Sequence, residues 1–61
     1  MNQYLRAYRA ALLYSKGRIT VYTAIWMIKK VFDAEYLLEN PITAESWAEQ
    51  LLYGAMNQAG L

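Results

Sequence analysis

Neither cysteine nor histidine occurs anywhere in this chain. For 61 residues that double absence is a strong constraint. A domain of this size buries a modest core and is only marginally stable alone. Small domains commonly compensate with disulfides, a metal or a partner. Without cysteine there is no disulfide and no thiolate metal site. Without histidine the commonest metal ligand and the commonest neutral-pH general base are gone as well. What remains is close packing of regular helices, self-association, or both. No cofactor and no metal site is expected.

The residue balance sharpens this. Apolar residues make up 57% of the chain and charged residues 18%, against ~45–50% and ~25% in ordinary soluble domains. A small domain has proportionally more surface to cover with polar groups. Some apolar surface must therefore stay outside a monomer's core, which favours a homo-oligomer or a partner-binding protein. The most apolar run, residues 21–28, ends at Lys29-Lys30. A bilayer span takes about 20 apolar residues, so no membrane association is expected. The first residues carry no basic stretch leading into an apolar block, so a cytoplasmic protein is expected.

Two glycine or proline breaks divide the chain into one domain, 1–61, of three helices. Residues 3–16 place Tyr4, Leu5, Tyr8, Ala11, Leu12 and Ser15 on one face at helical spacing. Gly17 stands where that helix should end. After it comes Ile19-Thr20, and after Asn40-Pro41 comes Ile42-Thr43, the same pair 23 residues on. In each place threonine can cap a helix while isoleucine closes a hydrophobic staple, onto Ala24 and onto Trp47 respectively. The expected helices are thus about 3–16, 20–39 and 44–58, joined by short turns: an all-α bundle, expected to be homodimeric.

A competing reading makes residues 18–23 a strand, since Ile19, Thr20, Val21 and Tyr22 are good strand formers. Strand, helix, helix is the order of the ribbon-helix-helix DNA binders. The recurrence of Ile-Thr after a breaker decides for the helical reading; a full helix also precedes the strand here and no glycine turn separates the last two helices, unlike that family.

On the second helix Val21, Ala24, Met27, Ile28, Val31, Ala34 and Leu38 form a broad apolar arc. Glu35 lies within it and needs either solvent or a cation such as Arg6 or Arg9. The opposite face carries Tyr22, Trp26, Lys29, Lys30, Asp33 and Leu37. Aromatic and aliphatic groups mixed with lysine suit a contact surface, and these six are the candidate partner-binding residues. On the third helix, Ala44, Trp47, Ala48, Leu51, Leu52, Ala55 and Ala59 share a face, with Gly54 beside it as room for a close neighbour.

All six basic residues lie in 1–30 and all five acidic ones in 33–49. Arg6, Arg9 and Arg18, together with Lys29 and Lys30, could form a nucleic-acid-binding face. The nearby acidic segment weakens any field aimed at phosphate, so a small dimeric DNA-binding regulator is the alternative reading. A structural assembly subunit, built by head-to-tail contact between the two charge blocks, is a further one. No glycine-rich phosphate loop occurs. Ser15 and Ser46 have no histidine to activate them, so the chain is not expected to be an enzyme. The leading expectation is a non-catalytic protein–protein interaction module. Size and composition, without any motif, extend this to a phage or mobile-element protein that sterically inhibits a larger host protein or a nucleic-acid-processing defence complex.

Overall fold

The computed structural model describes residues 3–61, and within them the chain is all-helical. Four helices follow one another: α1 (Gln3–Ser15), α2 (Val21–Lys29), α3 (Ala34–Glu39) and α4 (Pro41–Ala59). α1, α2 and α4 pack against one another, and the short α3 rests on α4.

The α1–α2 turn forms as its residues dictate. Gly17 adopts φ 71°, the left-handed region that suits glycine. Its N–H donates to the Tyr14 carbonyl and the Arg18 N–H donates to that of Leu13, so two carbonyls at the end of α1 are satisfied. Thr20 then caps α2: its Oγ1 accepts from the Thr23 N–H at 3.2 Å. Helix, not strand, therefore follows Arg18-Ile19. Replacing Thr20 with alanine removes this acceptor and should lower stability by about 1 kcal/mol, measurable as a shift of the urea midpoint at unchanged slope.

The expected 20–39 helix is divided. α2 stops at Lys29, and Val31 and Phe32 turn back with short-range bonds to the Ile28 and Lys29 carbonyls. Asp33 then opens α3 from an extended conformation. Local chemistry supports the break. Val31 and Phe32 are weak helix formers, two lysines suit a helix C-terminus, and Asp33 suits an N-cap position. Glu35 falls in the first turn of α3 and is exposed. The apolar arc accordingly ends at Val31, and Ala34 and Leu38 lie outside the core.

The last helix begins three residues before its expected start. Pro41 is its first residue, where the missing N–H costs nothing, and the Ala44 N–H donates to Asn40 O at 2.9 Å. Thr43 is therefore inside the helix and not its cap. Ile42 is 84% exposed, so the staple onto Trp47 does not form. At the other end Gly60 takes φ 71° and closes α4.

The core is unusual in its residue sizes. Ala7, Ala10, Ala11, Ala24, Ala44 and Ala48 are buried, with Ile25, Ile28 and Leu52. On α1 the buried stripe is Ala7, Ala10 and Ala11, whereas Tyr4, Leu5 and Tyr8 are exposed. The bundle has turned α1 so that its small residues meet the neighbouring helices, while Tyr4, Leu5 and Tyr8 stand outside and Tyr14 packs at the core's edge. Alanine contacts let helix backbones approach closely. Gly54 does not mark such a contact: a Cβ there would meet nothing within 4 Å.

Candidate functional site

Close packing through alanine leaves many of the large apolar side chains on the surface. Tyr22 on α2 is 79% exposed and Trp26, one turn on, is 56% exposed. Lys30 continues the four-residue spacing at the α2 C-cap, and its Nζ lies 4.0 Å from the centre of the Trp26 ring. The ammonium is drawn to the electron-rich face of the indole. The stripe thus combines two exposed aromatic rings with a cation at its end. Lys29 lies beside it, half-buried.

The break after Lys30 separates the six candidate partner-binding residues. Tyr22, Trp26, Lys29 and Lys30 stay together on α2. Asp33 and Leu37 belong to the next element, Asp33 at the start of α3 and Leu37 half-buried within it. Asp33 instead lines a groove of about 420 Å³ with Gln3, Val31, Phe32, Tyr36 and Trp47. Phe32 and Tyr36 meet there edge to face, with ring centres 5.9 Å apart and planes at 79°. This is an ordinary favourable arrangement for aromatic pairs.

Sequence periodicity had assigned Trp47 to the core face of the last helix. It is 48% exposed and stands at this groove's edge. The signal that would have found the groove is the pair Asp33 and Glu35. Aspartate followed by an acidic first turn marks a helix start, and a start there places Phe32 and Tyr36 on either side of a bend.

The three candidate arginines have different surroundings. Arg6 is half-buried, and its Nε donates to the Met27 carbonyl at 2.6 Å. The break explains this. In a continued helix the Val31 N–H would have donated to that carbonyl, but it goes to Ile28 instead. The α2 C-terminus is left with an acceptor that a cation fills well. Arg9 and Arg18 are exposed.

Among the described residues no polar or charged side chain is buried, and no three acidic groups come together as a metal site would require. Among them, too, no helix is long and apolar enough to cross a membrane. Comparison with protein-family models, with curated proteins and with solved structures finds no match to this chain.

Proposed function

We propose that this chain is a small non-catalytic interaction module. It docks the aromatic-basic stripe of α2, formed by Tyr22, Trp26 and Lys30 with Lys29 at its side, onto a larger protein. One observation carries the reading: large aromatic side chains are placed outside while alanines fill the core. Covering the exposed parts of one tryptophan and one tyrosine is worth on the order of several kcal/mol. Aromatic anchors of this type dominate protein interfaces, and charges at their edge set orientation and on-rate. Lys30, 4.0 Å from the Trp26 ring centre, places a cation beside the anchor.

The finer form of this reading is steric inhibition of a host nucleic-acid-processing complex by a phage or mobile-element protein. Its support is the small size of the chain and its lack of histidine and cysteine for chemistry. A homodimer would use the same stripe. The DNA-binding alternative is weakened because Arg6 is engaged with the α2 terminus, leaving Arg9 and Arg18 as the arginines of its proposed face that are exposed.

The test pairs sedimentation equilibrium with cross-linking capture from host lysate, using the wild type and Trp26→Ala. Trp26 is more than half exposed, so the variant should keep its helicity by circular dichroism. It should lose capture of whichever partner the wild type retains, by roughly tenfold or more. A tight wild-type dimer that Trp26→Ala converts to monomer would instead assign the stripe to a second copy. Salt-sensitive duplex binding unaffected by Trp26→Ala would move the reading to DNA.

A further inference from the structure

The groove beside α3 has a chemistry of its own. Three aromatic residues line it, Phe32, Tyr36 and Trp47, together with one carboxylate, Asp33. Asp33 occupies the N-cap position of α3, yet its side chain makes no capping hydrogen bond. Its carboxylate is exposed and is not used by the helix it opens. Among the described residues no basic side chain lines the groove. The lysines nearest in sequence are placed elsewhere: Lys30 sits over the Trp26 ring and Lys29 is half-buried. All five acidic residues fall within 33–49 and all are exposed, so the field around α3 and the first half of α4 favours a cation.

We infer that this groove is a receptor site for an arginine side chain presented by a partner protein. Aromatic rings attract a cation to their faces, and a carboxylate beside them supplies a charged acceptor. Arginine fits better than lysine, because a flat guanidinium stacks on rings while its N–H groups fork onto a carboxylate. An apolar occupant would cover Asp33 without a partner, which is costly. An anion would meet the carboxylate directly. The groove, about 420 Å³ and open to solvent, leaves room for flanking peptide beside a guanidinium. The site is distinct from the α2 stripe, and its test does not depend on Tyr22 or Lys30.

The experiment is a titration of the full chain with the blocked tripeptide acetyl-Gly-Arg-Gly-amide, followed by the two tryptophan indole N–H resonances in NMR. Trp26→Phe assigns which signal belongs to Trp47. The isosteric but neutral citrulline tripeptide and a leucine tripeptide serve as controls. The arginine peptide should shift the Trp47 signal saturably, with a Kd on the order of 1 mM. The citrulline peptide should bind roughly fivefold or more weakly. Asp33→Asn should weaken the arginine peptide roughly threefold, and added salt should do the same. Asp33 is exposed and caps nothing, so that variant should fold; Tyr36→Leu gives an independent arm that removes a ring and leaves the charge.

Equal binding of the citrulline peptide, tighter binding of the leucine peptide, or absence of any Trp47 shift would each overturn the assignment. So would a Trp47 shift that follows protein concentration without peptide and vanishes in Asp33→Asn, since the occupant would then be a second copy.

Discussion

Leu52→Ala is expected to remove most of the folding stability and to leave a substantial part of the population unfolded at room temperature. Among the fully buried side chains of the described residues only Ile28 and Leu52 are large; the rest of the core is chiefly alanine. Truncating a buried leucine costs about 2–5 kcal/mol, through lost burial and the cavity left behind. A core in a domain this size supplies only about 3–5 kcal/mol in total. The two figures are of the same order, so little stability remains. Alanine neighbours make matters worse, because they have no side-chain freedom with which to refill the space. Urea titration followed by circular dichroism at 222 nm gives the cost directly, and Ile28→Val is the mild comparison at about 0.5–1.5 kcal/mol. A loss below about 1 kcal/mol for Leu52→Ala would mean that the helices collapse onto the gap, and that Leu52 is not the keystone of this bundle.

Arg6→Met carries the second-largest expected cost, about 1.5–3 kcal/mol. Methionine retains much of the aliphatic stem and removes the guanidinium. The Met27 carbonyl then loses a charged donor 2.6 Å away at a site where the chain has turned and no backbone N–H replaces it. The cost should appear locally as well as globally. Amide exchange in the last turn of α2 and the 30–33 link should accelerate beyond what the global loss explains. Arg6→Lys should recover only part of the stability, since an ammonium supplies charge without the fixed planar donor. A cost under about 0.5 kcal/mol would show that water satisfies the carbonyl equally well.

Arg6 also shows where sequence reading stops. From composition it was one of three arginines on a possible nucleic-acid face. Its role at the α2 terminus depends on a helix break that apolar periodicity hides, because Val31, Ala34 and Leu38 continue the spacing of Val21, Ala24 and Ile28. Spacing reports which side chains are apolar, not which are covered, and 61 residues cannot enclose them all. The same limit put Tyr4, Tyr8 and Trp47 on buried faces, although the interior went to alanines that can be packed more closely. Features set by local backbone chemistry were legible: the glycine stop at Gly17, the Thr20 cap and the helical character throughout. The groove holding Asp33 was not, since it exists only once α3 has folded against α4.

Asn40 sets how that groove can move. It ends α3 and begins α4 at one position: its N–H donates to the Tyr36 carbonyl at 2.8 Å and its own carbonyl accepts from Ala44 at 2.9 Å. Its side-chain Nδ2 also reaches the Tyr36 carbonyl at 3.3 Å, and Pro41 follows with a fixed φ. No spare residue is left to act as a pivot. The two helices are coupled like the arms of a welded bracket. Tyr36 and Trp47, which both line the groove, are thus joined through one shared residue.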